Sequence, residues 1–228
     1  MAADRGGRVG AGGDDIGADA RPTIQPGIGR EAPMQYTFDR AYYARFYGYP
    51  RIRSSDRKEL AALGDFVCGY LRYMGQPVRR VLDIGCAVGL WREVIHRHYP
   101  KARYTGVEFS EFLCEEYGWT RGSVVDFRAR EPFDLVICMD VLQYLPDHEA
   151  SAAIDNLAEL CRGALYFNLL TREDWEQNCD RQRTNGDVHL RSGRWYRRRL
   201  RRHFSQAGGG LFLSERSPVV LWELEHIE

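Results

Sequence analysis

The stretch Arg80-Val81-Leu82-Asp83-Ile84-Gly85-Cys86-Ala87-Val88-Gly89-Leu90-Trp91 restricts the fold of this chain more than any other. Val81, Leu82 and Ile84 make the short apolar run of a strand buried on both faces, as a parallel sheet requires. Gly85 and Gly89 fall where the chain must turn tightly and let a ligand approach the backbone. A helix from Leu90 to about His98 then aims its free amides back at that turn, which suits anions and polar ligand edges. Asp83 places a carboxylate at the strand's end beside the same turn. That suits a cationic ligand group better than a pyrophosphate.

The same rhythm continues downstream. Arg103–Val107 reads as a second strand, Ser110–Tyr117 as a helix, and Ser123–Val125 as a third strand. Phe133–Cys138 is the fourth strand, Asp147 begins a helix through Cys161, and Ala164–Leu170 is the fifth strand. Strands alternating with helices predict an α/β fold with a mainly parallel sheet covered on both faces. The crossover Phe127–Pro132 is too short for a full helix, so a turn or a single coil must serve. Upstream, Ser54 or Ser55 caps a helix running to about Met74, with Leu60, Leu63, Phe66, Val67, Tyr70, Leu71 and Met74 at helical spacing. Near the end, a helix over Arg194–Gln206 leads into Leu211–Leu213 and Val219–Trp222, read as a final antiparallel pair.

The flanks differ in composition. Residues 1–33 hold almost no large apolar side chains and are expected to form a disordered tail. Residues 34–228 then make a single domain, with a helical lid over 34–78, a ligand-binding core over 79–170 and an acceptor-facing segment over 171–193. Tyr36, Phe38, Tyr42, Tyr43, Phe46, Tyr47 and Tyr49 recur at roughly helical spacing before Pro50. They fit either a core-facing helix or a lid whose aromatics close over a ligand. The formal net charge of +0 creates no overall field towards nucleic acid or an acidic membrane. Six dispersed cysteines, without a C-x-x-C pair or a signal-like segment, suggest reduced thiols in a soluble, cytoplasmic protein. No apolar run approaches the ~20 residues of a spanning helix. No clustered carboxylates or histidines ask for a metal.

With these elements placed, residues 36–228 resemble the class I S-adenosylmethionine-dependent methyltransferases. Asp83-Ile84-Gly85-Cys86-Ala87-Val88-Gly89 is similar to that family's glycine-rich first motif. Glu108, in Gly106-Val107-Glu108-Phe109-Ser110, matches the acid that accepts both ribose hydroxyls. Asp126, in Val124-Val125-Asp126-Phe127, matches the residue that meets the adenine amine. Phe133–Tyr144 is similar to the fourth motif, whose strand end passes beneath the methionine part of the cofactor. The resemblance implies a Rossmann-like methyltransferase fold with a mainly parallel seven-stranded sheet and a C-terminal antiparallel strand pair. It also implies S-adenosylmethionine as cofactor, held by Asp83, Gly85, Cys86, Ala87, Gly89, Glu108, Phe109, Asp126, Phe127, Met139, Asp140, Val141 and Tyr144. Family members often carry a third glycine where Ala87 stands here. The chemistry agrees: a strand-tip carboxylate accepts from both hydroxyls of a ribose diol, and a second acid accepts from the adenine amine. Taken alone, the first motif also fits a dinucleotide-binding loop, Asp126 a helix cap, and Asp140 a turn residue.

The resemblance further implies methyl transfer to a small molecule at O, N or C, since Asp140-Val141-Leu142-Gln143-Tyr144 lacks the Asn/Asp-Pro-Pro-Tyr sequence of base amino-group methylation. His189 is the candidate general base, because histidine is the side chain that titrates near neutrality. Its alternative is a histidine bonding loop backbone. The run Arg194–Phe204 invites an RNA surface or a clamp for an anionic acceptor. Yet Tyr196, Leu200 and Phe204 are four apart, which makes the arginines a solvated opposite face, so a nucleic-acid partner is disfavoured. The competing functions are a non-catalytic S-adenosylmethionine-binding or scaffold protein, an RNA methyltransferase and a nucleotide-dependent oxidoreductase. A monomer and a homodimer are both compatible with the chain.

Overall fold

The computed structural model describes residues 38–44, 57–181 and 184–225. The expected tail, Tyr36, Phe46, Tyr47, Tyr49 and the start of the helix at Ser54 or Ser55 lie outside the described residues. Among the described residues, seven strands form one sheet: β1 (Arg80–Ile84), β2 (Arg103–Glu108), β3 (Thr120–Arg121), β4 (Phe133–Met139), β5 (Cys161–Asn168), β6 (Phe204–Gly208) and β7 (Leu211–Ser214). Their order across the sheet is β3-β2-β1-β4-β5-β7-β6. β1 pairs in parallel with β2 and β4, as do β2 with β3 and β4 with β5, whereas β7 runs antiparallel to both β5 and β6. The helices are α1 (Arg40–Tyr43), α2 (Arg57–Tyr73), α3 (Leu90–His98), α4 (Glu111–Tyr117), α5 (Asp147–Leu160), α6 (Arg172–Gln177) and α7 (Gly193–Leu200).

Strand alternation divides the apolar runs between two cores. Leu82, Ile84, Val136, Cys138, Leu165 and Phe167 face α5 and α7, meeting Ile154, Leu157, Tyr196 and Leu200. Val81, Leu135, Ile137, Ala164 and Tyr166 face α2 and α3, meeting Val67, Leu71, Val94 and Ile95. Each fully buried side chain of this kind contributes about 1.5–3 kcal/mol. Asp83 occupies the second face, where its neighbours in register would otherwise be apolar. The chain winds from β1 outward to β3, then returns to place β4 on the other side of β1. The carboxyl ends of β1 and β4 therefore flank the point where strand order reverses, the place where open α/β sheets bind ligands.

Three expectations change. The third strand is Thr120–Arg121, and Val124–Asp126 forms a turn instead. That turn is held by the buried Asn156 amide, which donates to the carbonyls of Val124 (2.9 Å) and Phe127 (3.1 Å). The helix expected over 194–206 stops at Leu200, and Phe204 opens an edge strand. The antiparallel pair is consequently β6 with β7, joined at Gly208, Gly209 and Gly210, all at positive φ. Residues 219–222 form no strand, and Val220 and Trp222 are exposed. Finally, the polar segment after β5 contains α6. Thr171 caps it through a capping box with Asp174.

Candidate active site

The turn after β1 owes its shape to three residues in the left-handed region: Gly85 (φ 79°), Ala87 (φ 46°) and Gly89 (φ 79°). A Cβ on Gly85 would lie 2.3 Å from Val141 Cγ2, so the turn and the β4 end meet only because that position is glycine. Ala87 pays a steric cost of roughly 1 kcal/mol for this conformation. Two hydrogen bonds oppose it: its amide donates to Glu108 Oε2 (2.8 Å) and its carbonyl accepts from Trp119 Nε1 (2.9 Å). The position where family members often have glycine is thus a left-handed one, which explains that preference.

Glu108 is buried at the end of β2 and joins two turns. Its Oε1 accepts from the amides of Phe109 (2.9 Å) and Ser110 (3.0 Å), while Oε2 takes Ala87. One carboxylate therefore ties the glycine turn to the β2–α4 turn. Asp83 is 2% exposed, and the Tyr104 hydroxyl donates to its Oδ2 at 2.5 Å. Burial pushes its carboxyl up to about 7, and nearby Glu108 raises it too, against the lowering effect of the Tyr104 bond. Tyr104 itself is raised, chiefly by burial and then by Asp83. Burial also raises the Cys86 thiol, which keeps it protonated.

A cleft opens here, lined by Asp83, Gly85, Cys86, Ala87, Met139 and Asp140, with Leu60, Val88, Leu90 and Trp91. Six predicted residues thus share one wall. Asp140 adopts φ 57° and anchors the end of β4 by donating its amide to the Asn168 carbonyl (2.8 Å). Its side chain reaches solvent yet is surrounded by protein. Burial raises its carboxyl, and the Gln143 amide lowers it. Val141 packs against Gly85. Tyr144 exchanges a hydrogen bond with the Tyr42 hydroxyl (2.9 Å) and meets the Phe38 ring edge-on at 5.3 Å. Ser110 Oγ donates to the Phe38 carbonyl (2.5 Å), so the α1 segment bridges the ends of β2 and β4. Tyr42 is raised by burial first, with lowering bonds to Tyr144 and Asn185, and feels both Asp140 and Glu108.

Other predicted residues lie apart from the cleft. Phe109 is 60% exposed. Asp126 is exposed and accepts from the Ser123 amide (3.3 Å) within its own turn, and Phe127 packs on the α5 side of the sheet. His189 is exposed, and its backbone amide donates to the Gln143 carbonyl (2.8 Å). His148 belongs to the first turn of α5. The arginines 194, 197, 198, 201 and 202 face solvent, opposite the buried Tyr196 and Leu200. Among the described residues, no group of three or more His, Cys, Asp or Glu could hold a metal, and no helix is long and apolar enough to cross a membrane.

Sequence reasoning missed Arg191, which is 4% exposed. Its guanidinium donates to Asp147 Oδ1 (2.7 Å), the Tyr196 hydroxyl (2.9 Å) and the carbonyls of Leu142 (3.1 Å) and Leu145. It also lies 5.0 Å from the Trp195 ring centroid. This residue fastens the segment between α6 and α7 to the turn that carries Gln143 and Tyr144. Gln143 completes the joint, its Oε1 accepting from the Leu170 amide (3.2 Å). Replacing Arg191 by alanine leaves the buried Leu142 carbonyl and Tyr196 hydroxyl without their donor, with an expected loss of about 3 kcal/mol. Denaturant unfolding should show it as a lower midpoint at unchanged slope. No periodicity marks such a residue, because it sits in an irregular segment.

Residues 52–215 match the model of a family described as methyltransferase domain. A ubiquinone biosynthesis O-methyltransferase of Coxiella burnetii is 28% identical over 54% of this chain and 66% of its own length. A trans-aconitate 2-methyltransferase of Pseudomonas aeruginosa is 32% identical over 30% of this chain and 28% of its own. The chain spans less than two thirds of the length of these curated relatives. Among solved structures, DesVI of Streptomyces venezuelae superposes with a TM-score of 0.56 at 17% identity, covering 78% of this chain and 99% of that one. At such identity the likeness concerns the fold.

Proposed function

Because this chain belongs to the family of methyltransferase domains, we propose that it binds S-adenosylmethionine and transfers the methyl group to a small-molecule acceptor. The observation that carries the proposal is the cleft at the β1–β4 reversal, where the glycine turn, Asp83 and Asp140 converge. These residues fit the cofactor. Two acidic side chains suit its ammonium, and Gly85 lets Val141 close against the turn without a Cβ between them. When bound, the cofactor supplies a methyl group on a sulfonium, ready for in-line displacement.

The protein's share is then chiefly positioning. Glu108 sets the glycine turn through Ala87 and offers its remaining lone pairs to the ribose hydroxyls. The adenine extends beyond the cleft to the turns that follow β2 and β3, where Phe109, Asp126 and Phe127 lie. Met139, Asp140, Val141 and Tyr144 pass beneath the amino-acid part. From the expected lid, Phe38 and Tyr42 rest on Ser110 and Tyr144 and exclude water from the reacting atoms. The acceptor enters between this lid and residues 171–193, where Tyr42 meets Asn185. His189, joined by its backbone to Gln143, removes the acceptor proton.

Turnover of S-adenosylmethionine to S-adenosylhomocysteine across a panel of phenolic, carboxylic-acid and amino-sugar acceptors tests this. The expected result is product with one acceptor class, and a loss of about 10²–10⁴-fold in turnover for His189→Ala at unchanged cofactor affinity. Undiminished turnover in that variant removes His189 from the mechanism. Tight cofactor binding without product from any panel member favours the non-catalytic binding protein.

A further inference from the structure

Trp91 stands in the first turn of α3, 5% exposed, with its ring 5.3 Å from that of Tyr166. Two buried side-chain polar atoms lack a hydrogen-bond partner among the described residues, and the Trp91 indole nitrogen is one of them. The other, Arg80 Nε, belongs to the opposite end of β1. An indole N–H can only donate. Leaving it buried without an acceptor costs about 1–3 kcal/mol, a cost that phenylalanine or leucine would avoid at a position needing only apolar packing.

The surroundings say what would satisfy this donor. Trp91 lines the same cleft as Asp83 and Asp140. The N-cap of α3 is Gly89, which has no side chain to bond the first-turn amides, so the helix end adds further positive potential. Two carboxylates and the residue that carries the buried, unpaired donor thus belong to one wall of the cleft. A simple cation would leave the indole orphaned, and a simple anion would meet the two acids. A zwitterion with ammonium and carboxylate on one carbon satisfies both.

We propose that the Trp91 indole N–H donates to the α-carboxylate of the bound cofactor, with Asp83 and Asp140 on the ammonium side. Trp91 thereby selects ligands that keep the carboxylate. This inference rests on the S-adenosylmethionine reading of the same site.

Calorimetric titration of wild type and Trp91→Phe with S-adenosylmethionine and with its decarboxylated form tests it. Wild type is expected to prefer the carboxylate-bearing ligand by about 10–100-fold, the worth of a hydrogen bond to a charged group. Trp91→Phe keeps the ring packing and should lose most of that preference, binding the decarboxylated ligand as wild type does. Equal weakening for both ligands, or an intact preference in the variant, overturns the proposal. So does a wild-type preference near one, a measurement that needs no variant to fold. Absence of binding to either ligand by wild type is a different outcome: it defeats the S-adenosylmethionine reading itself.

Discussion

Replacing Asp83 by asparagine is expected to stabilise the ligand-free protein at pH 8 while abolishing tight cofactor binding. The carboxyl is 2% exposed and its ordinary value is raised, chiefly by burial, to about 7. The folded chain therefore prefers the neutral form. The stability linked to that proton is fully present below the unfolded-state value of 3.8 and is lost as pH climbs through about 7. Asparagine cannot ionise, and its Oδ1 still accepts from the Tyr104 hydroxyl. Asp83→Asn should thus gain roughly 2 kcal/mol at pH 8, or about 4–8 °C in melting temperature, and close to nothing at pH 4. Cofactor affinity should fall at least about 100-fold, because the ammonium loses a desolvated charge partner. Thermal melts across that pH range, paired with titrations, check both halves. A variant less stable than wild type at pH 8 contradicts the burial account.

Removing the Glu108 carboxylate is expected to have the second large effect. Glu108→Ala strips acceptors from the amides of Ala87, Phe109 and Ser110 together. The loss should be about 2–4 kcal/mol of stability, since buried amides keep their desolvation penalty. Ala87 then loses a bond that offsets its left-handed backbone, so the glycine turn relaxes. Affinity for S-adenosylhomocysteine should drop about 100-fold or more. Ala87→Gly in the same background should recover part of the stability and none of the ligand affinity. Stability recovered by glycine would separate the structural role of Glu108 from its contact with ligand.

The strands that carry the site were legible because burial on both faces writes continuous apolar runs, as in Val81–Ile84 and Phe133–Cys138. The acids at their ends stood out against those runs. β3 was not legible in place. Both of its residues are exposed, so the pairing rests on backbone bonds that leave no side-chain pattern. Val124 and Val125 looked like a strand, but Asn156 reaches from α5 to hold them in a turn. At the other end, the spacing of Tyr196, Leu200 and Phe204 fits a helix, and the first two keep it. Phe204 turns out to be the first residue of an edge strand, and the run Gly208–Gly210 before Leu211 was the available signal of a hairpin.

The site divides in the same way. Asp83, Gly85, Ala87, Met139 and Asp140 share a cleft as their positions at strand ends suggest. Tyr104, Trp91, Gln143 and Arg191 support that cleft from places where residue type alone says little. A tyrosine in a strand reads as packing until its hydroxyl is seen 2.5 Å from a buried carboxylate. An arginine in a polar loop reads as solvated until it is found beneath three neighbouring segments.

Titration of the wild-type protein with S-adenosylmethionine and, separately, with NAD tests the central claim most directly. The glycine turn alone fits either ligand class, whereas Asp83 and Asp140 beside it suit an ammonium and oppose a pyrophosphate. The expected result is one site per chain with a Kd in the micromolar range for S-adenosylmethionine and no heat with NAD. Saturable binding of NAD, with none of S-adenosylmethionine, would contradict it.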